Sequence, residues 1–526
     1  MKNIVDDLHF SANLIKNMGS MILPNGKNLN ESLRIDGISY WDVFATELAR
    51  SYIPASLSKK KLTNKAYDLF KPYLVRIKYH CRDFFRIFKY RNKSTNAMPL
   101  GAFLFLDYTP QQSRDIIQPI IKYVKSKKKQ TISIKDCYWS DDNLSENYSD
   151  FSEIIWSYWS NELTVKTKKI IKEFKEIYKK YLNSDYLDKV LFAEKPYVKK
   201  NIKIALNRLF IAEISGLVRQ GVVANTILKK IKPSIIIASD INDPRTRILM
   251  LLSKNYHIPC LALQNGLVNN GSIEWRFLPA DYVAVWGKKS KEILALHGIQ
   301  SKKIFMTGSP RNDIYLSQKK TNFNKTKKKL GIPKNSKLIL LASTFSLPSY
   351  NNLNNDTNIL KQMKSSIFNS INKFNNLYLI VKPHPSENDK ETKLLAPKNP
   401  RILFVSKKED IRSLIMACDC FVSFGSTATI DAILLDKLVI CPNFPGWVWS
   451  NTYTDTKAVL SATSIKQIDQ IFKKISLLNT KFLSSKLKKS RQSLIHEWIY
   501  KNDGLGGKRI GDLACEIASN KGKLIS

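Results

Sequence analysis

The chain has 526 residues and a mass of 60.4 kDa, which predicts two large domains with an extension, or about three to four smaller units. A hydrophobic fraction of 43% and a charged fraction of 25% are typical of a globular protein and exclude collagen, coiled coil and wholesale disorder. The net charge of +41 indicates an anionic partner: nucleic acid, a phospholipid surface or a phosphorylated substrate.

The compartment is predicted from what the sequence lacks. No apolar run reaches the ~18 to 20 residues of a spanning helix, and Asp6, Asp7 and His9 interrupt the start, which is therefore not a signal peptide. The seven cysteines show no zinc-type spacing, and Cys418 and Cys420 lie in an apolar run, so we expect buried free thiols. We expect a cytoplasmic protein.

Residues 1–97 are predicted to form a helical, basic extension with one helix near Tyr40–Ser51. Residues 72–91 form a second helix, in which apolar residues recur at helical spacing and basic residues fall on other faces. Three interpretations stay open: the apolar stripe packs on the core, the helix lies in an anionic bilayer interface, or it binds nucleic acid. The apolar residues are Leu74, Ile77, Cys81, Phe84, Phe85 and Phe88, and the basic ones are Arg76, Arg82, Arg86 and Lys89.

Short apolar strands alternate with helices from residue 98 onward, whereas residues 140–230 look largely helical. Such alternation predicts an α/β fold with parallel sheets. We expect residues 98–316 and 336–526, the latter with a tail helix, to form two Rossmann-like, doubly wound domains. A linker over 317–335 joins them, and we expect a cleft between them. The predicted strands are Gly101–Asp107, Gln130–Lys135, Ser234–Ala238, Pro259–Leu263, Tyr282–Trp286, Ile304–Met306, Leu338–Ala342, Leu377–Val381, Ile402–Val405, Cys420–Ser423 and Leu438–Cys441.

Two loops at predicted strand ends favour phosphate binding. In Lys382-Pro-His-Pro385, His384 lies between two prolines that restrict the backbone, so its ring can donate a hydrogen bond to phosphate beside the Lys382 charge. In Gly425-Ser-Thr427, a glycine and two hydroxyl residues lead into a helix, where free N–H groups favour an anion. Structural turn and plain helix capping are the alternative interpretations.

Three further loops follow strands. We expect the loop of Gln264, Asn265 and Gly266 to line the cleft on the acceptor side. From Gly266 to Gly271 it is a near miss to a P-loop that lacks the required Lys. Gly308-Ser-Pro-Arg311 is a turn that would project Arg311 near the cleft, and we expect Gly308 and Arg311 to contact the donor nucleotide. Asp240-Ile-Asn-Asp243 is too loosely acidic to predict a metal site, so we expect a protein that requires no metal or other cofactor.

Gly308-Ser-Pro-Arg-Asn-Asp313, Lys382-Pro-His-Pro385 and the segment from Cys418 to Ile440 resemble the CDP-glycerol glycerophosphotransferase family and related GT-B glycosyltransferases of surface polysaccharides. The order of the loops is also similar to bacterial sialyl- and Kdo-transferases. The resemblance covers about residues 230–515.

This resemblance implies a GT-B fold whose C-terminal domain holds a nucleotide-activated donor, with His384, Ser426 and Thr427 on the donor phosphates and Arg311 in the family's Pro-Arg-Asn-Asp motif. The glycerophosphotransferases carry a His, their expected base, where this chain has Asn265. Because an amide cannot accept that proton, Asp240 is the substitute base, and sugar transfer is favoured over glycerophosphate transfer.

The sequence thus predicts a metal-independent glycosyltransferase of capsule or lipopolysaccharide synthesis. Its expected partners are a nucleotide sugar, a saccharide or lipid-linked acceptor and an anionic membrane surface, where it would be peripheral on the inner face; nucleic acid is not expected. The enzymatic alternatives are glycerophosphate transfer and nonhydrolysing sugar-nucleotide epimerisation. The other class is a basic protein that binds nucleic acid or membrane.

Overall fold

The computed structural model divides the chain into two compact units. The first consists of Met1–Arg311 with Leu505–Ser526, and the second of Asn312–Gly504. Within the residues that the structure describes, no helix is long and apolar enough to cross a bilayer. Those residues are 4–51, 65–91, 98–109, 113–136, 148–191, 194, 196–317, 327–328, 330–333, 335–345, 353–385 and 387–520.

The strands are β1 Arg34–Ile35, β2 Ile38–Ser39, β3 Phe103–Asp107, β4 Thr131–Lys135, β5 Phe151–Ile154, β6 Ile235–Ala238, β7 Cys260–Leu263, β8 Tyr282–Val285, β9 Ile304–Met306, β10 Lys337–Ala342, β11 Leu377–Lys382, β12 Ile402–Phe404, β13 Cys420–Ser423, β14 Leu438–Pro442 and β15 Leu460–Ala462. The α-helices are α1 Ile4–Gly19, α2 Leu29–Ser32, α3 Tyr40–Ser51, α4 Lys65–Tyr90, α5 Gln118–Ser126, α6 Asn161–Ile177, α7 Asp185–Val190, α8 Pro196–Arg208, α9 Ile214–Ile231, α10 Pro244–Ser253, α11 Lys288–Leu296, α12 Pro310–Ser317, α13 Leu353–Lys373, α14 Asp389–Leu395, α15 Ile411–Ala417, α16 Ala428–Leu434, α17 Asn451–Thr454, α18 Ile465–Leu477, α19 Thr480–Ser485, α20 Lys488–Trp498 and α21 Gly506–Ser519.

The first unit is built on a seven-stranded sheet in the order β5-β4-β3-β6-β7-β8-β9. Its strand pairs are all parallel, with Phe103 of β3 opposite Thr131 of β4 and Ile235 of β6. The order runs outward from the centre in both directions, as in a doubly wound fold. Strands β3, β6, β7 and β8 are buried over their whole length, because helices cover both faces.

The second unit carries a six-stranded parallel sheet in the order β12-β11-β10-β13-β14-β15. Strand β10 is central, with Leu341 opposite Val381 of β11 and Val422 of β13. Side chains of the sheet and of the long helix α13 form one apolar core. The predicted α/β fold with two doubly wound domains is confirmed, and each predicted strand is present.

Two edge strands were missing from the prediction. Phe151–Ile154 lies within the stretch that looked helical, and Leu460–Ala462 has only three residues. Both strands lie at a sheet edge and are only partly covered, and neither has an uninterrupted apolar run. The half-buried pattern of β5 fits this explanation.

The helices of the predicted N-terminal extension over residues 1–97 form part of the first unit. The Trp41 indole of α3 donates to the Ile15 carbonyl of α1 at 2.9 Å. Arg247 of α10 is 2% exposed, and its Nε donates to the Val43 carbonyl at 3.0 Å. A buried guanidinium bonded to carbonyls of α3 fixes these helices to the α/β core.

The tail helix α21 also belongs to the first unit, so its assignment to a domain over 336–526 is wrong. Its Ile510 and Ile517 lie in the core built on β3 and β6, and Tyr123 of α5 donates to Asp512 at 2.6 Å. The apolar face of a helix carries no information about which sheet it covers. The predicted linker over 317–335 lies largely outside the described residues.

Helix α4 presents its apolar stripe to solvent. Phe84 is 72% exposed, Phe88 67% and Ile77 60%, whereas Asp83 and Arg86 are each 1% exposed. The interpretation that the stripe packs on the core is wrong, and so is the placement of Arg86 among the surface charges. The side of α4 that carries Asp83 and Arg86 is buried because these charges have partners there.

The cysteines at 418 and 420 are buried free thiols, as predicted, and Cys260 and Cys441 are buried as well. Cys137 lies outside the described residues.

Candidate functional site

The Pro-His-Pro segment forms the loop between β11 and α14. Lys382 is buried at the end of β11, and its Nζ donates to the carbonyl oxygens of Pro383 at 3.1 Å and Lys407 at 2.8 Å. Lys382 therefore holds the loop together. His384 reaches the surface, with its ring centroid 5.1 Å from that of Phe345. Partial desolvation, with Lys382 and Lys407 nearby, lowers the pKa of His384, so the ring is neutral at pH 7.

Glu387 fixes this loop from below. Its Oε1 accepts hydrogen bonds from Ser343 Oγ at 2.7 Å, Lys364 Nζ at 2.8 Å and Thr392 Oγ1 at 2.6 Å, and its Oε2 accepts one from the His384 backbone N–H at 3.0 Å. Both members of the Lys364–Glu387 ion pair are buried. Burial alone would raise the pKa of Glu387, but the Lys364 ammonium and the hydrogen bonds outweigh it and lower the pKa.

The Ser/Thr loop between β13 and α16 requires its glycine. Gly425 has φ +98°, and a Cβ there would lie 2.1 Å from the Trp449 carbonyl oxygen. No L side chain is tolerated at that distance in that conformation. The Tyr453 hydroxyl donates to the Ser426 carbonyl at 3.0 Å, and Ser423 Oγ lies 2.5 Å from Thr429 Oγ1. The loop is therefore held on both sides.

Ser426 carries a buried hydroxyl that has no hydrogen-bond partner among the described residues. Such a group costs about 1–3 kcal/mol of stability. A bound ligand with a polar atom at this position would remove that cost. Thr427 takes the N-cap position of α16 in the helical conformation.

The two loops lie at the same edge of the sheet in the second unit. Strands β11 and β13 flank β10, so their carboxyl ends are roughly two strand spacings, about 10 Å, apart. The structure thus brings together Lys382, His384, Gly425, Ser426 and Thr427 of the predicted donor-binding residues. The other two, Gly308 and Arg311, follow β9 in the sheet of the first unit. Ligands of open parallel sheets bind at this edge.

Asp240 follows β6 at the corresponding edge of the sheet in the first unit. With Asp107, Tyr108 and Ser113 it lines a small cavity of about 10 Å³, which has room for about one water molecule. Its Oδ1 accepts a hydrogen bond from the Asn242 N–H at 3.1 Å. Burial, together with the like charge of nearby Asp243, raises the pKa of Asp240. A carboxylate with a raised pKa is a stronger base than an ordinary one.

Asp243 has a structural role. Its Oδ1 accepts hydrogen bonds from the Arg245 backbone N–H and from Arg245 Nε, each at 2.9 Å, and so caps α10. Arg245 also contacts Asp136, and its guanidinium lies 4.2 Å from the centre of the Tyr108 ring. The carboxylate of Asp243 is therefore paired with Arg245.

Gln264 holds the loop after β7 in place, so its side chain is not free to bind a ligand. The Gln264 side chain accepts from the Trp286 N–H and donates to the Gly266 carbonyl, each at 2.9 Å. This use of the amide makes the predicted acceptor contact of Gln264 structural. Asn265 is half-buried at the end of the strand.

The turn before α12 lies at the end of β9. Gly308 has φ +74°, in the left-handed region that favours glycine. Arg311 is half-buried in the first turn of α12. Gly308, Arg311, Asp240 and the loop of Asn265 therefore all follow strands of one sheet at its carboxyl edge.

The described part of the chain contains no cluster of three or more His, Cys, Asp or Glu that could hold a metal ion. Metal independence remains a prediction. Sequence reasoning missed Glu387 and Lys364, although Glu387 stands only three residues after His384. Lys364 lies in the middle of α13, where no local signal distinguishes it from a surface lysine.

Three solved structures are similar to this chain. MnaA from S. aureus, in complex with UDP, shares 12% sequence identity with a TM-score of 0.51, over 80% of this chain and 98% of its own. A UDP-N-acetylglucosamine 2-epimerase shares 13% identity at the same TM-score, over 82% and 99%. The wall teichoic acid polymerase TagF gives 11% identity and a TM-score of 0.47, over 88% and 100%. At identities this low, the two structures with a TM-score of 0.51 show the fold alone.

Residues 269–514, just under half of the chain, match the family model of CDP-glycerol:poly(glycerophosphate) glycerophosphotransferase. The chain is a GT-B transferase. The matched region contains both phosphate-binding candidates of this transferase and the turn at Gly308, but not Asp240 or Asn265. No curated protein matches the transferase in sequence.

Proposed function

We propose that the transferase moves a glycosyl group from a nucleotide sugar to a hydroxyl of a cell-surface polymer of the capsule or lipopolysaccharide type. In this reaction the acceptor oxygen bonds to the anomeric carbon, and the bond from that carbon to the donor phosphate breaks. The electron pair leaves with the nucleotide, and the acceptor proton passes to a base. The match to a family named for poly(glycerophosphate) supports polymer synthesis.

The donor phosphates bind to the second unit. The observation that carries this proposal is the buried, unpartnered hydroxyl of Ser426, next to the left-handed Gly425. His384 lies across β10 at the same edge and offers one ring N–H, and Thr427 continues the Ser/Thr loop. Preplaced donors that stabilise a departing phosphate are usually the largest catalytic contribution.

The base is Asp240. By the resemblance of its sequence motifs, the chain has Asn265 where the glycerophosphotransferases carry a His, and a carboxamide does not accept a proton at neutral pH. Asp240 lies in the first unit with a raised pKa and no ion-pair partner within salt-bridge distance among the described residues. We propose that the transfer requires no metal ion.

A second candidate is transfer of glycerophosphate from CDP-glycerol. The family match favours it, because the matched model describes that activity. Attack would then occur at phosphorus, and the departing group would be CMP. The His384 and Ser426 contacts would serve either reaction, so the donor decides between them.

Donor competition distinguishes the two reactions. The full chain is incubated with a saccharide acceptor and, separately, with UDP-, GDP- and CMP-sugars and CDP-glycerol, and the released nucleotide and product mass are measured. We expect turnover of one nucleotide sugar and none of CDP-glycerol. Turnover of CDP-glycerol alone would replace sugar transfer by the second candidate, and turnover without an acceptor-linked product would contradict both.

We place the transferase on the inner face of the membrane, where a lipid-linked acceptor would be found. The exposed Phe84 and Phe88 of α4 support this placement, because they remain available for an interface. The net charge of +41 favours anionic lipid.

A further inference from the structure

Tyr108 lines the same small cavity as Asp240, at the end of the neighbouring strand. Leu106 of β3 lies opposite Ala238 of β6, so two residues further on the chain places Tyr108 level with Asp240, on strands roughly 4.8 Å apart. Of the residues that line the cavity, Thr109 and Asp240 are half-buried and the others are buried. The cavity therefore opens to the surface beside Asp240.

The hydroxyl of Tyr108 is buried and has no hydrogen-bond partner among the described residues. The whole residue is 6% exposed. A hydroxyl in this state costs about 1–3 kcal/mol of stability, which a ligand with an acceptor atom in the cavity would remove. Burial raises the pKa of Tyr108 well above its usual range, so the phenol keeps its proton and remains a hydrogen-bond donor.

Arg245 holds the ring of Tyr108 in place. Its guanidinium lies 4.2 Å from the centre of the ring. The guanidinium is in turn fixed by Asp243, whose Oδ1 accepts from Arg245 Nε at 2.9 Å, and by an ion pair with the buried Asp136. A cation held in this way over the ring orients the phenol before any ligand arrives.

Asp107 is the other carboxylate in the lining of the cavity. Its Oδ2 accepts from Ser113 Oγ at 2.9 Å, and Ser113 Oγ accepts from Gln118 Nε2 at 3.3 Å. Lys135 of β4 lies opposite Asp107 in the sheet, and the Asp107 charge opposes the lowering of the Lys135 pKa by burial. Asp240, by contrast, accepts only from backbone N–H groups among the described residues, so it is the carboxylate available to a ligand.

We propose that this cavity receives the reacting hydroxyl of the acceptor, with the Tyr108 hydroxyl donating a hydrogen bond to the acceptor oxygen and Asp240 taking the acceptor proton. One lone pair of that oxygen accepts from Tyr108, and the other forms the bond to the anomeric carbon. The acceptor O–H bond breaks, its proton moves to Asp240, and Tyr108 keeps its own.

The size of the cavity sets what enters it. A volume of about 10 Å³ admits one hydroxyl oxygen but no sugar ring, so the rest of the acceptor stays outside the opening. The proposal rests on the role proposed above for Asp240, and it adds Tyr108 as a residue that touches the acceptor.

The change Tyr108→Phe tests the proposal, with the donor and acceptor that give product in the donor comparison. The kcat/KM for the acceptor should fall by roughly 5- to 10-fold, the value of one neutral hydrogen bond, while the KM for the donor stays the same. An acceptor analogue with hydrogen in place of the reacting hydroxyl should inhibit wild type and variant with the same Ki. The Tm should not fall, because the hydroxyl has no partner to lose.

The matched control is Tyr178→Phe, at a buried tyrosine of the first unit whose hydroxyl donates to Asn207 Oδ1 at 3.0 Å. It should lower the Tm and leave kcat/KM unchanged. A lowered Tm for Tyr108→Phe, an unchanged kcat/KM for the acceptor, or an equal loss of affinity for the analogue would overturn the proposal. Turnover of CDP-glycerol instead of a nucleotide sugar would refute sugar transfer, but the same acceptor measurements would still decide the role of Tyr108. The Tm comparison requires no substrate.

Discussion

The Lys364–Glu387 pair allows a quantitative test of how the His384 loop is held. The change Glu387→Gln keeps the shape of the side chain but removes its charge. Lys364 then keeps hydrogen bonds to the Thr344 carbonyl at 2.6 Å and Thr392 Oγ1 at 2.8 Å, but its ammonium loses its anionic partner while it remains 5% exposed.

Leaving a buried charge unpaired costs about 3–5 kcal/mol. For a unit of the size of Asn312–Gly504, this lowers the Tm by on the order of 10 °C. Replacing both charges, in Lys364→Met/Glu387→Gln, should recover most of the loss, because no uncompensated ion remains. The exposed-pair control Glu292→Gln, at a residue that contacts Lys289, should cost less than about 1 kcal/mol.

Calorimetry of the full chain measures these differences. The pKa of Glu387 is lowered in the folded protein, so its contribution is present above the unfolded carboxyl pKa of about 4.3 and is lost as the pH falls through the lower, folded value. The gap between wild type and Glu387→Gln should therefore be largest at neutral pH and shrink below about pH 4. A Tm change under 1–2 °C at pH 7, or a double variant as unstable as the single one, would refute the reasoning.

Four further predictions concern the transfer reaction. His384→Ala should lower kcat/KM by about 10²-fold with an unchanged circular dichroism spectrum, because one phosphate donor is lost; full activity would remove His384 from the site. Ser426→Ala should weaken nucleotide binding in calorimetric titration by roughly 10- to 100-fold, the value of a hydrogen bond to a charged group, without lowering the Tm, since its hydroxyl has no partner in the unliganded protein; a lowered Tm with normal binding would make it structural. The raised pKa keeps Asp240 protonated, and inactive as a base, to a higher pH, so the acidic limb of the pH profile of kcat/KM should lie above the ordinary carboxyl range. Asp240→Asn should abolish turnover at every pH. Activity of this variant with the same acidic limb would exclude Asp240 as the base. Activity should persist in EDTA. Loss of activity, with recovery on adding Mg²⁺ or Mn²⁺, would indicate a metal site at Asp240 and Asp243.

The donor loops were predictable because their signals are local. Pro-His-Pro and Gly-Ser-Thr each follow an apolar strand directly, so the chain itself places His384 and Ser426 at the edge of a parallel sheet. The same logic located Asp240, Asn265 and Gly308. The role of each side chain depends on contacts that the neighbouring sequence does not reveal. Lys382 and Gln264 donate hydrogen bonds to backbone carbonyls, whereas the Ser426 hydroxyl has no hydrogen-bond partner among the described residues.

The sequence alone determined the strands, their parallel pairing and the loops that carry polar groups, because period, run length and turn chemistry are properties of neighbouring residues. Only the tertiary structure decided which sheet α21 covers, which face of α4 is buried and which acid pairs with Lys364. Each of these depends on partners far away in the chain. An amphipathic helix shows that it has two faces, but Asp83 and Arg86 became the inner one because Arg219 and Asp136 were there to meet their charges.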